Sequence, residues 1–251
     1  MKNQGIIAAC ALLLSGMGAS VANAVEITVL STQATEQAYR ELLPQFEKAS
    51  GHTVKTTYSG TLGVKKRIAE GETFDLLIMA SPEIDAFIKA GTLAPGSRVD
   101  VAKSGVGVGV KAGAPKPDIG STEALKKTLL AAKSIGYSTG PSGVYVIGLF
   151  ERLGLADQIK PKLKQTPTGV FVGTIVANGE VEIGFQQVSE MATFPGVDFV
   201  GPLPAEVQQT TIFASGIAAA AKQPEAAKAW VKFLTAPTSA AAFKKRGMEP
   251  G

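Results

Sequence analysis

Four short stretches of this 251-residue chain gather hydroxyls and glycines where an apolar run hands over to a helical pattern. They are "STQAT" (31–35), "YSGTLG" (58–63), "STGPSG" (138–143) and "TPTGVF" (166–171). The chemistry they offer is hydrogen-bond donation without charge. The first turn of a helix leaves its N–H groups without partners, and such groups attract anions. Ser and Thr are also ordinary N-caps, so one junction alone carries little weight. Four at equivalent places point to a small anion enclosed by neutral dipoles.

Other reactive residues are sparse. His52 is the only histidine and sits in "SGHTV", a loop before a strand. That argues against Ser/His/Asp catalysis and against a histidine-based metal cluster, so no metal and no cofactor is expected. Glu180, Glu182 and Glu190 read as surface carboxylates, without the spacing of an acid pair. Lys65, Lys66 and Arg67 follow Thr61 by one to two helical turns. Two readings of them stay open: charge support for an anion in the cleft, or a solvated helix face. "KKR" at 244–246 reads as a solvated face as well.

The elements that must position these residues begin after an export signal. Lys2 is followed by "IIAACALLLSGM" and then by "ANA" at 22–24, the small-x-small form of a cleavage site. Residues 1–24 read as a removed signal, and an apolar run of roughly a dozen residues falls short of the ~20 that span a bilayer. Removal takes away the only cysteine, Cys10, and one lysine, so the formal charge of +4 falls to +3. A charge so small and dispersed argues against nucleic acid. The remaining 227 residues (251 less 24) must be held together by their core.

The pattern then alternates. "EITVL", "HTVKTTYS" and "FDLLIMA" read as strands, each followed by a helical stretch, which argues for a parallel α/β sheet. At "SGVGVGV" the character changes to a glycine-rich crossing segment, after which the alternation restarts through "SIGY", a helix from about 141, a helix over 168–177 and the strand "VEIGF". "TTIFASGIAAAA" resembles a return crossing. The expectation is a two-lobed molecule of two parallel-sheet lobes, with lobe 1 at 25–103 plus 211–251, lobe 2 at 104–210, and hinge segments at 104–110 and 210–215. In open α/β sheets ligands bind at the carboxyl ends of strands, so closure would bring the four junctions face to face.

From about Glu26 to Gly247 the chain resembles the periplasmic molybdate-binding proteins, solute receptors of ABC importers. The resemblance rests on "EITVLSTQATEQAYRELLPQFEKASGHTV", "RIAEGETFDLLIMAS", "PSGVYVIGLFERLG" and "FLTAPTSAAAFKKRG". It implies a type II periplasmic-binding-protein fold, an oxyanion held by hydroxyls and backbone N–H groups, and an inner-membrane ABC permease as partner. The family's first serine falls at Ala34, leaving Ser31 and Thr32 as substitutes, and the second falls at Thr61. Backbone donors fall at Ser142 and Gly169, and the family's tyrosine is replaced by Gln187. Beside Gln186, that amide suits a small organic carboxylate as well as an oxyanion.

The resulting expectation is a monomeric periplasmic receptor for a small anion. The alternative is an isomerase, since periplasmic aconitate isomerase resembles this family. Such an enzyme moves an allylic proton and needs an acid-base group beside its ligand. The candidates are Tyr58, Tyr137, Tyr145 and Glu190.

Overall fold

The computed structural model describes residues 24–251, so the expected signal segment lies outside the described residues except for Ala24. Three strand–helix units open the fold: β1 (Glu26–Thr32) with α1 (Glu36–Ser50), β2 (Thr53–Ser59) with α2 (Thr61–Ala69), and β3 (Leu76–Ala80) with α3 (Ser81–Lys89). β4 (Val99–Ser104) and β5 (Val106–Lys111) follow, separated by Gly105 alone. Next come α4 (Thr122–Ala131), β6 (Ile135–Tyr137), α5 (Pro141–Arg152), α6 (Ala156–Ile159), β7 (Leu163–Gln165) and α7 (Val172–Ala177). β8 (Ile183–Gln187) runs directly into α8 (Val188–Met191), and β9 (Val197–Pro202) and β10 (Thr211–Ile217) follow. The chain closes with α9 (Pro224–Leu234), α10 (Ala240–Lys245) and β11 (Glu249–Pro250).

These strands form two sheets, ordered β11-β4-β10-β3-β1-β2 and β7-β6-β8-β5-β9. The strand–helix units pair in parallel, β1 with β2 and β3 and β6 with β7 and β8. Each sheet is nevertheless mixed. β10 runs antiparallel to β3 and β4, and β5 antiparallel to β8 and β9. The reason is geometric. β5 and β10 are the first strands after the chain passes between sheets, so each starts at the edge where the parallel strands end and runs the other way.

Each sheet is covered on both faces, which is why β3, "LLIMA", is buried at every residue. On one face of the first sheet Tyr39, Phe46, Trp230 and Phe243 pack together, with the Tyr39 and Trp230 rings edge to face at 5.9 Å. Leu77, Met79, Val64 and Ile84 fill the other face. In the second sheet the valines of "VGVGVK" pack against Leu125, Leu129 and Phe150. Its glycines admit neighbours on the opposite face, where a Cβ on Gly109 would lie 2.5 Å from Met191 Sδ. The valine–glycine alternation is therefore a strand under close cover on one side.

Asp75 locks the first lobe. Its carboxylate accepts from Thr28 N and Oγ1 (2.8 Å each), Lys222 N (2.7 Å) and Gln223 N (2.8 Å), joining β1 to the start of α9. Burial alone would raise its pKa, but these donors outweigh it and hold the carboxyl below the usual aspartate value.

Candidate functional site

The carboxyl ends of β1 and β2 meet those of β6 and β8 across a cavity of about 20 Å³. Thr32, Gln33, Ala34 and Gly60 line it from the first sheet's side. Ser138, Thr139, Gly140, Pro141 and Val170 line it from the second, and Gln186, Gln187 and Glu190 close it below. That enclosed space is about what a single water molecule needs. A larger depression in the second lobe, bounded by Tyr137, Ile147, Phe150 and Glu151, includes none of the hydroxyl-rich junctions.

Each junction is built by a local constraint. Ser138 Oγ accepts from Gly140 N (3.2 Å) and shares a hydrogen bond with Ser142 Oγ (3.2 Å), which turns the chain from β6 into α5. Gly143 is required there, because a Cβ on it would lie 1.7 Å from the Ser138 carbonyl oxygen. The turn leaves the N–H groups of Ser142 and Gly143 in the first turn of α5, without intrahelical partners. Opposite, Gly60 precedes α2 and approaches so closely that a Cβ would lie 3.3 Å from Thr139 Oγ1. Gln33 reaches across the cleft and donates from Nε2 to the Gly169 carbonyl at 3.0 Å.

The residues singled out from sequence divide into three groups. Thr32 and Gln187 line the cavity. Ser31 and Ser142 lie behind it, fully or almost fully buried; Ser31 Oγ shares a hydrogen bond with Thr35 Oγ1 at 3.0 Å, so its hydroxyl braces the turn. Gly169 takes part through its carbonyl, as the acceptor from Gln33. Thr61 lines an outer groove at the mouth with Leu62, Lys65, Val144 and Tyr145.

The basic residues left open by the sequence are exposed and paired outside the cavity: Lys65 with Glu83 (2.7 Å), Lys66 with Glu70 (3.7 Å) and Arg67 with Glu72 (2.8 Å). Tyr145 donates to the Val207 carbonyl at 2.6 Å, and Tyr137 borders the larger depression. Tyr58 lies under Arg40, 5.7 Å from ring centroid to guanidinium, and burial pushes its hydroxyl up to about 12. Neither Tyr58, Tyr137 nor Tyr145 lines the inner cavity.

Gln187 has its amide committed elsewhere. With its nitrogen on the Ser104 and Gly105 carbonyls (3.0 Å each), its oxygen accepts from Thr211 Oγ1 at 2.9 Å. It thus ties β8 to both passages between the sheets.

Of the two sequence readings of Glu190, surface carboxylate and acid-base candidate, the structure corrects the first and places the side chain at the cavity. β8 passes directly into α8, so Glu190, one helical turn beyond Gln186, is turned back under the cavity. Gln186 Oε1 accepts from Val172 N at 2.8 Å, which orients the amide, and its Nε2 donates to Glu190 Oε1 at 2.9 Å. Burial is the largest influence on this carboxyl and pushes it up to about 8; Glu36 adds to the rise, while Gln186 and a backbone N–H oppose it. Glu180 and Glu182 are exposed, as expected.

Sequence reasoning identified the junctions but missed Gln33, Ser138 and Thr139 as the members that face the cavity. It also missed the Gln186–Glu190 link, whose signal was an i, i+4 pair at a strand–helix joint.

Two sheets, two passages between them and a small polar cavity at their facing edges define a two-lobed solute-binding protein. The chain belongs to the bacterial extracellular solute-binding protein family, whose model matches residues 27–249. Among curated relatives, an aconitate isomerase of a Pseudomonas species is 35% identical over 247 residues, 96% of this chain and 94% of that protein. The molybdate-binding protein ModA of Azotobacter vinelandii is 26% identical over 241 residues, 93% of each. The fold is that of the solved Azotobacter vinelandii periplasmic molybdate-binding protein, with a TM-score of 0.75 at 21% identity over 90% of this chain and 99% of that one. The sulfate-binding protein SubI of Mycobacterium tuberculosis superposes with a TM-score of 0.70 at 19% identity, over 90% and 87% of the two chains.

Proposed function

We propose that the cleft captures a small anion, an oxyanion of the molybdate type or a small organic carboxylate, and that the protein delivers it in the periplasm to the permease of an ABC importer. The observation that carries this reading is the lining itself: hydroxyls, amides and helix N-termini from both lobes converge on one small cavity, and among the described residues no lysine or arginine lines it. Neutral dipoles in a site shielded from water bind an anion strongly, because nothing competes for them. Lobe 1 comprises 25–103 and 211–251, lobe 2 comprises 104–210, and closure turns about 104–110 and 210–215. The molybdate-binding relatives support the receptor role.

A second reading rests on Glu190. A single acid-base group beside a bound polycarboxylate is what an allylic proton shift requires, and a relative 35% identical over nearly the whole chain is an aconitate isomerase. In that reaction the Glu190 carboxylate takes a proton from carbon, the double bond moves by one position, and the same proton returns at the far carbon. With a carboxyl pushed up to about 8, roughly a tenth of the molecules carry the base form at pH 7.

A thermal-shift panel of molybdate, tungstate, sulfate, citrate and cis- and trans-aconitate, followed by proton NMR of each incubated hit, tests both readings. A ligand of the folded state raises the melting temperature with the logarithm of its concentration over Kd. Binding without conversion supports the receptor; a shift with cis and trans signals interconverting supports the isomerase. No shift with any anion contradicts both.

A further inference from the structure

Among the described residues, Glu190 is the one ionisable side chain lining the inner cavity, where an anion receptor would be expected to have cations or nothing; no described lysine or arginine lines it. Glu190 Oε1 already accepts from Gln186 Nε2 at 2.9 Å, and that amide cannot turn over without breaking the 2.8 Å bond from Val172 N to Gln186 Oε1. In a neutral carboxyl the oxygen that accepts an N–H bond is the carbonyl oxygen, so the proton belongs on Oε2. An ionised Glu190 would set like charges together in a site with no counterion, an arrangement that a buried cavity opposes strongly.

From this geometry we infer that Glu190, oriented by Gln186, determines specificity: it offers the ligand an O–H donor from Oε2, so the cleft selects a small anion that brings no proton of its own. This inference rests on the anion-binding reading and deepens it. A fully deprotonated anion, whether tetrahedral oxyanion or polycarboxylate, meets donors all round. A hydrogen phosphate points its own O–H at that of Glu190, and one donor is wasted.

The surroundings leave Glu190 as the group that titrates. The elements packed against α8 are β5, β8, β9, α7 and the turn at Gln33–Thr35. Of these, β8, α7 and the turn carry no charged side chain. Lys111 ends β5 and is exposed, and Asp198 on β9 accepts from Gly113 N at 2.9 Å. Glu36, at the start of α1, is paired with Arg40 at 2.7 Å, and beyond α8 Arg246 donates to Thr193 and lies 3.6 Å from Glu41. The carboxyl pushed up to about 8 sets the range in which the donor is lost.

The experiment is titration calorimetry of the exported chain with sulfate, trans-aconitate and phosphate, for wild type and E190Q, at about pH 6 and about pH 9. Wild type should bind sulfate or trans-aconitate about tenfold more weakly at the higher pH, and E190Q, which cannot ionise, should show no such loss. At the lower pH wild type should bind sulfate or trans-aconitate at least tenfold more tightly than phosphate, a comparison that stands even if E190Q fails to fold. Binding that is equally tight at both pH values, or a loss that E190Q shares, overturns the inference and leaves the anion-binding reading intact. Phosphate bound as tightly as the tightest of the other two does the same. No binding of any probe by wild type at either pH overturns both.

Discussion

Replacing Glu190 by glutamine should change how stability depends on pH more than it changes stability itself. In the folded chain the carboxyl is pushed from the ordinary 4.5 up to about 8, with burial as the main cause. The folded state therefore holds a proton that the unfolded state has released across that window. A group raised in this way contributes its full stability below the unfolded value and loses it as pH rises through the folded one. A rise of roughly 3.5 units at about 1.36 kcal/mol each sets a ceiling of about 5 kcal/mol on that loss. Glu190 is only half-buried, so water screens the carboxylate in part and a loss of about 2–4 kcal/mol is expected below that ceiling. Glutamine keeps the shape and can still accept from Gln186, but it does not titrate. Urea unfolding of both proteins from about pH 5 to about pH 9 gives the difference directly. Wild type should lose stability relative to E190Q steadily over that range, with most of the loss complete about one unit above pH 8. Parallel curves would refute the placement of Glu190 in a water-poor cavity.

Three further changes probe the frame around the cleft. Gly143→Ala forces a methyl to within 1.7 Å of the Ser138 carbonyl and should cost about 3 kcal/mol, the upper end for overpacking, read as a lower denaturation midpoint. Asp75→Asn removes the charge that four donors share and should destabilise by about 2 kcal/mol at pH 7; wild type should lose this advantage as pH falls through the lowered aspartate range, so the two unfolding curves converge in acid. Gln33→Ala breaks the bond to the Gly169 carbonyl across the cleft; it should weaken ligand binding about fivefold, roughly 1 kcal/mol, and leave the melting temperature of the ligand-free protein unchanged.

The architecture was legible because it is written in short-range signals. The strand–helix alternation, the continuous burial of "LLIMA" and the change of character at "SGVGVGV" all follow from local pattern. The antiparallel direction of β5 and β10 was not legible, since it depends on which edge of a sheet the chain enters. The site was legible at the level of junctions and less so at the level of side chains. Ser31 and Thr32 are adjacent in sequence, yet alternate strand residues face opposite ways, so one braces a turn and the other lines the cavity. Gln186 and Gln187 divide in the same manner, one toward Glu190 and one toward the inter-sheet passages. The helix expected over 168–177 begins only at Val172, because the preceding residues form the loop that Gln33 meets. Glu190 was one of four acid-base candidates and could not be singled out, because a four-residue helix gives too short a run for its inward face to show as periodicity.

The proposed ligand site lies between Gly60 and the 138–141 turn. Gly60 has an ordinary backbone conformation (φ −67°), so a side chain adds no backbone strain there, but its Cβ would lie 3.3 Å from Thr139 Oγ1 and push that side chain aside. The measurement is calorimetric titration of wild type and Gly60→Leu, at matched melting temperature, with the tightest anion from the thermal-shift panel. Binding by wild type and its loss by at least a hundredfold in Gly60→Leu is the predicted result. Equal affinity in the two proteins would mean that the anion binds elsewhere and that the cleft is not its site.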